Sequence, residues 1–289
     1  MINTLIISSV CFGLGDSMKV ITDTVFTIGR THTICEDYVI GGTGPISHII
    51  LCDGCSSSRN TDVGARLLAH SMRRVIEQSY SSSSYAVAYL EKKQLTIGHA
   101  YQVVSGLGLN RDCLDATLIT AVRLDREIRV YMYGDGVILY CKKDTPDKIR
   151  YYKVDFYGNM PYYISYLLSN TNRTEYERIV QEACAGEAIT IESDEGTETR
   201  RWDSELLFEF DLDEVSLVAI SSDGICQFTD IKTGNRLSLN EVAKELLAFK
   251  IPAGEFLKRR VKKALEAYGR EKIYPTDDVS LGVFLNETN

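Results

Sequence analysis

Four acidic groups stand at the ends of short apolar runs. Asp53-Gly54 closes the run 49–52, Asp135-Gly136 closes REIRVYMYG, Asp223-Gly224 closes VSLVAISS, and Asp277-Asp278 opens VSLGVFL. Runs this short and this apolar read as buried strands, so each carboxylate is delivered to the tip of a rigid element. Glu36-Asp37, at the start of a further apolar segment, adds a fifth acidic site. Mg²⁺ and Mn²⁺ take oxygen ligands, keep several waters and need only a few protein carboxylates. Carboxylates gathered at one place stay ionised only if a cation offsets their repulsion. The set therefore fits a hard-cation site.

Each acidic group also has an ordinary reading. Asp-Gly is a hairpin signal. For Asp135-Gly136, with strands on both sides, the turn reading is the stronger one. For Asp53 and Asp223 it is weaker, because CSSSRN and ICQFTD do not continue as strands. Asp277 and Asp278 alone read as polar strand-start residues after Pro275. Other phosphate chemistries fail on the residues themselves. Cys55 stands where a D-x-D phosphoryl acceptor needs its second Asp, and neither Cys52 nor Cys55 has an arginine at the spacing of a cysteine phosphatase loop. No G-x-S-x-G elbow and no G-x-x-x-x-G-K-[ST] loop occurs. Metal-activated water is left as the nucleophile.

The whole chain narrows the field further. At 289 residues, 44% hydrophobic and 25% charged, it has the composition of a soluble globule. A net charge of -8 argues against a nucleic-acid partner. The N-terminus lacks a basic n-region and is not read as a signal peptide, and no run is long enough to span a membrane. Eight cysteines include one C-x-x-C, Cys52 and Cys55, without the second pair that a zinc site would need. Unpaired cysteines fit a reducing, cytoplasmic setting.

The elements that must position the carboxylates follow in order. Strands are expected at 4–10, 18–29, 38–40 and 49–52, then helices at 61–79 and 84–104. The first helix carries an apolar face of Val63, Leu67, Leu68, Met72, Val75 and Ile76, the second Ala86, Leu90, Ile97, Tyr101 and Val104. Strands return at 114–124, 126–134, 137–142 and 149–157, and their short links read as antiparallel hairpins. Residues 158–204 hold a short helix with Thr174 as its cap and a polar, acidic patch; they read either as an insertion or flap over a site or as a solvated loop. Strands resume at 205–211 and 215–221. Ser238 and Glu241 form a capping box that opens a helix to about 249, a second helix covers 253–268, and a last strand covers 279–285. Two blocks of strands, each with a pair of helices, predict an α+β fold. It is a four-layer α-β-β-α sandwich, with two central antiparallel β-sheets flanked by helix pairs. No linker divides residues 1–289, so a single domain is expected.

Glu36-Asp37, ILCDG (50–54), DATLITAV (115–122), VYMYGDG (130–136), AISSDGI (219–225) and DDVSLGVF (277–284) occur in one order along the chain. In that order and spacing the chain resembles the metal-dependent protein phosphatases of type 2C over nearly its whole length. The resemblance implies a two-sheet sandwich with a metal cluster at one edge, and two Mg²⁺ or Mn²⁺ ions with a third in bacterial members. By position, Asp53 would bridge two ions and the Gly54 carbonyl would help hold one. Asp223 and Asp277 would ligate the first, Glu36 would hold the second through water, and Asp135 would join Asp223 at the third. Asp37 and Asp278 match the accompanying polar positions. Two departures stand out: Cys55 replaces a histidine proposed to protonate the leaving group, and His32 stands where a phosphate-binding arginine is expected. His32 and the nearby Arg30 are the candidates for holding phosphate.

The activity implied is Mg²⁺/Mn²⁺-dependent hydrolysis of phosphoserine or phosphothreonine in proteins. A hydroxide shared by two ions would attack phosphorus in line, with Asp53, Asp223 and Asp277 as the catalytic carboxylates. Two alternatives remain: a phosphatase-like protein that binds metal or a partner without useful turnover, and a hydrolase of small phosphate esters.

Overall fold

Alternation of apolar and polar residues between short links drives most of this chain into antiparallel ladders. The computed structural model describes residues 19–43, 46–81 and 89–287. The strand expected at 4–10 lies outside the described residues. The chain runs β1 (Lys19–Thr27), β2 (Tyr38–Thr43), β3 (Ser47–Cys52), α1 (Thr61–Ser81), α2 (Tyr89–Gly106), β4 (Leu118–Leu124), β5 (Glu127–Tyr133), β6 (Gly136–Lys142) and β7 (Thr145–Phe156). It continues with α3 (Asn170–Cys184), β8 (Ile189–Ser193), β9 (Gly196–Arg200), β10 (Leu206–Asp211), β11 (Val215–Ser221), β12 (Phe228–Asp230), α4 (Leu239–Leu246), α5 (Phe256–Glu271), β13 (Ile273–Pro275) and β14 (Val279–Glu287).

The larger sheet has the order β1-β14-β11-β6-β7-β8-β9 and the smaller one β10-β5-β4-β3-β2; β12 and β13 pair separately. Three apolar clusters define four layers. Ile49, Leu51, Ile119, Val130 and Met132 of the smaller sheet meet Ile138, Val218, Ile220 and Phe284 of the larger one. Ile50, Cys52 and Leu118 pack outward on Leu68, Met72, Ile97 and Val104 of α1 and α2. Leu139, Ala219, Leu281 and Val283 pack on Val242, Leu246, Leu257 and Val261 of α4 and α5. Each large aliphatic buried here stabilises the fold by roughly 1.5–3 kcal/mol. The expected α-β-β-α sandwich is the fold observed.

Several details differ from the reading of the sequence. The strand blocks do not each make a sheet: β1 to β3 divide between the two sheets, as do β4 to β7. β4–β5 and β6–β7 are hairpins, but β5 and β6 lie in different sheets. Asp135 is therefore where the chain crosses between layers and not a hairpin turn. On α2, Ile97, Ala100 and Val104 are buried while Tyr101 is exposed. The helix in the 158–204 segment is capped by Ser169, whose side chain accepts from the Asn172 N–H, and Thr174 lies inside it. The acidic patch after it is the hairpin β8–β9, which extends the larger sheet from β7. Ile189 and Ile191 of β8 are buried in the central core, while the polar β9 is held by backbone pairing with β8. The Ser238–Glu241 capping box is present, and its helix stops at Leu246.

Candidate metal centre

Antiparallel pairing brings the acidic groups to one end of both sheets. In the larger sheet Ser221 opposes both Leu281 and Val137, so the end of β11 lies between the starts of β14 and β6. Asp223, Asp277-Asp278 and Asp135 leave the sheet at that common end. In the smaller sheet Cys52 opposes Tyr38, so Asp53 emerges beside Glu36 and Asp37. Five separate stretches of sequence converge for one topological reason: a strand that ends at this edge is paired with one that starts there.

Glycines permit the close approach. A β-carbon on Gly224 would lie 1.8 Å from the Asp278 carbonyl oxygen, and one on Gly54 would lie 2.9 Å from Thr61 Cβ and 3.0 Å from the Glu36 carbonyl oxygen. The Asp-Gly pairs thus serve chain crossing more than turn formation.

Each acid is held by named partners. The Asp53 N–H donates to Thr117 Oγ1 (3.1 Å) and its carbonyl accepts from the Thr117 N–H (2.8 Å). Thr61 Oγ1 donates to Glu36 Oε1 (2.6 Å). Asp278, buried, accepts from the Gly29 and Glu36 N–H groups at 2.7 and 2.6 Å, which ties the 29–36 turn to the start of β14. Ser222 Oγ donates to Asp37 Oδ2 (2.7 Å), while the buried Asp37 Oδ1 has no hydrogen-bond partner. Gln227 Nε2 reaches Asp223 Oδ2 at 3.4 Å.

The electrostatics are those of crowded, dry carboxylates. Burial first, then the charges of Asp37, Asp223, Asp135 and Asp277, hold the Asp53 carboxyl well above the usual carboxylate range. Burial raises Asp37 to about 7, moderated by the Ser222 hydroxyl. Burial, with Asp223, Asp155 and Asp277 beside it, raises Asp135 to about 8. Asp223 is raised by burial and by Asp277. Among the described residues, no three acidic, histidine or cysteine side chains close on one point as a preformed cage. The carboxylates line a seam instead, which suits an ion that keeps most of its waters.

The two candidates for phosphate are otherwise engaged. His32 Nε2 is 3.4 Å from Asp277 Oδ1 and its Nδ1 is 3.2 Å from Asp278 Oδ2, without the alignment of a formed hydrogen bond at Nδ1. Burial would lower the imidazole, but Asp278, Asp277 and Glu36 outweigh it and raise the pKa. The exposed Arg30 guanidinium lies 4.3 Å over the Tyr274 ring.

Three residues at this edge were not singled out from the sequence. Asp155 on β7 follows Val154, which opposes Gly136, so it lies beside Asp135; Lys153 Nζ pairs with it at 2.5 Å. Only the ladder register, which shifts at Cys141/Lys142, brings it here. The Tyr163 hydroxyl lies near the Cys55 thiol and in the field of Asp135 and Asp53, while Cys55 Sγ is 3.0 Å from Ser57 Oγ. Asp115 accepts from Ser58 (2.9 Å) and from Ser165, so it ties the loop after Asp53 to the start of the 158–204 segment.

Comparison with known proteins agrees with this fold. A family model described as Protein phosphatase 2C matches residues 29–266. No curated protein matches the chain by sequence. Among solved structures, the serine/threonine phosphatase of S. agalactiae is 14% identical, covers 93% of this chain and 100% of its own, and has a TM-score of 0.56. Stp1 from Staphylococcus aureus is 13% identical with a TM-score of 0.55, covering 94% and 97%. The Mycobacterium tuberculosis phosphatase PstP/Ppp is 14% identical with a TM-score of 0.53, covering 93% and 99%. At such identities these likenesses speak for the fold.

Proposed function

The chain belongs to the protein phosphatase 2C family, and from that premise we propose that it hydrolyses phosphoserine and phosphothreonine in proteins with Mg²⁺ or Mn²⁺. One observation carries the metal dependence. Burial raises Asp53, Asp37 and Asp135, each with neighbouring carboxylates adding to it (Asp37, Asp223 and Asp135 at Asp53; Asp278 at Asp37; Asp223 and Asp155 at Asp135), and the buried Asp37 Oδ1 is left without a donor. An all-oxygen, like-charged donor set is matched by hard divalent cations.

Asp53 with Asp223 and Asp277 would hold one ion, Asp53 with Glu36 a second, and Asp135 with Asp223 a third; the Gly54 carbonyl would help hold one of the first two. Such ions supply Lewis acidity toward phosphoryl oxygens and lower the pKa of water. The remaining work falls to the chain. Thr117 and Thr61 fix Asp53 and Glu36, and Asp278 fixes the 29–36 turn. Lys153 is a cation beside Asp155, at the side where Asp135 and Asp223 lie. At the position of the family's histidine the proton-bearing groups are the Cys55 thiol and the Tyr163 hydroxyl. The single domain is taken as one catalytic unit. Seven described cysteines, all free, support a reducing, cytoplasmic setting.

A second reading, metal binding without turnover, is favoured by the engagement of His32 with Asp277 and Asp278 and of Arg30 with Tyr274. Phosphate release from a phosphothreonine peptide, with Mn²⁺ or with chelator, separates the two. Wild type should turn over only with metal, and Asp53→Asn should lose about 10³-fold or more in kcat, on the order of 4 kcal/mol of barrier. Folded wild type that binds Mn²⁺ yet releases no phosphate from peptides or small esters would establish the second reading. Turnover in chelator would reject the metal mechanism.

A further inference from the structure

Behind the acidic edge lies a cavity of about 380 Å³, between the smaller sheet, α2 and the 158–204 segment. That volume falls within the roughly 300–1,000 Å³ of small-ligand sites. Its wall includes the rings of Tyr133, Tyr162 and Trp202 and the cationic heads of Lys93 and Arg173. Lys93 Nζ stands 4.9 Å from the Tyr133 ring centre and the Arg173 guanidinium 6.0 Å from that of Trp202. Among the described residues neither cation is in an ion pair; of the two acids in the wall, Asp203 is paired with Arg201 at 3.3 Å, and Glu205 faces Lys93 more distantly.

The cavity is separate from the carboxylates. Tyr133 and Gly134 line it while the next residue, Asp135, belongs to the edge; Tyr162 lines it while Tyr163 lies near Cys55. We propose that this cavity is a binding site for a small aromatic anion, a planar ring carrying a phosphate or carboxylate, of about nucleoside-monophosphate size. The partly exposed Tyr133 ring, backed by the buried Tyr162 and Trp202, offers apolar aromatic surface in the wall. Lys93 and Arg173 offer two positive charges for one anionic group, with the guanidinium suited to bidentate binding. A neutral aromatic would leave the cations unanswered, and a simple anion would leave the rings bare.

Trp202 is the only tryptophan in the chain, so its fluorescence reports the cavity directly. The protein with Mg²⁺ would be titrated with adenosine 5′-monophosphate. Adenosine and ribose 5-phosphate would serve as the ring-only and anion-only controls. Adenosine 5′-monophosphate should change Trp202 emission saturably, with affinity at least tenfold above either control. Lys93→Met or Arg173→Met should weaken it about tenfold at unchanged melting temperature, and Arg173→Lys should retain part of it. No saturable change with adenosine 5′-monophosphate would overturn the proposal. So would a response equal in wild type and in both methionine variants, which would assign binding to the acidic edge.

Discussion

The acidic edge and the aromatic cavity are neighbours built on opposite terms. At the edge, carboxylates crowd together, and burial first, then neighbouring carboxylates, lifts Asp53, Asp37 and Asp135 out of the normal range. In the cavity, Lys93 and Arg173 stand against aromatic rings that are themselves packed edge to face, such as Tyr162 with Tyr176 at 5.1 Å. The first arrangement opposes folding; the aromatic packing of the second contributes to it. A charge cluster that destabilises its own fold is a mark of function, because packing alone gives no reason to keep it.

The comparison can be broken most forcefully at Gly224. Gly224→Ala would set a β-carbon 1.8 Å from the Asp278 carbonyl oxygen. Separating Asp223 from Asp277 in this way should abolish most Mn²⁺-dependent phosphate release. It should also lower stability by about 3 kcal/mol or more, read as a urea midpoint. Trp202→Ala should lower stability by roughly 3–5 kcal/mol, because a large buried ring is removed. The folded fraction should keep its Mn²⁺ affinity, measured by calorimetry; a lost affinity would mean that the two regions are one.

The third test uses pH. Asp37 and Asp135 have folded pKa values of about 7 and 8, above the unfolded carboxylate range near 4. Between those limits the folded state binds more protons than the unfolded state, so stability falls as pH rises. The chelated protein should therefore melt higher at about pH 5 than at about pH 8. Added Mn²⁺ should restore stability at the upper end and release protons as it binds. A flat profile in chelator would remove the contrast between the regions. The smallest effect concerns the 158–204 segment: Ser169→Ala should reduce stability by about 1 kcal/mol, and Thr174→Ala by far less.

Much of this was readable in order along the chain. Asp53, Asp135, Asp223 and Asp277 each end or begin an apolar strand, and that local pattern survives whatever the tertiary arrangement. The same local reading misled at Asp135-Gly136, because two strands joined by a short link look alike whether they pair or part into separate layers. It also chose Thr174 over Ser169, since capping depends on which hydroxyl precedes the first helical turn. The polar strand β9 gave no hydrophobic signal, because its place in the sheet rests on backbone bonding to β8.

By itself, then, the sequence determined the strand and helix types, the two-sheet class and the acids that carry the proposed chemistry. Those follow from periodicity and from residue type, which are local. The tertiary structure alone decided that Asp155 lies beside Asp135, that Tyr163 reaches Cys55, and that His32 is drawn to Asp277 and Asp278. It alone also gathered Lys93, Arg173 and Trp202 around one cavity. These depend on ladder register and on which layer a strand joins. Both are set by summed packing over the whole core, so no short stretch of residues encodes them.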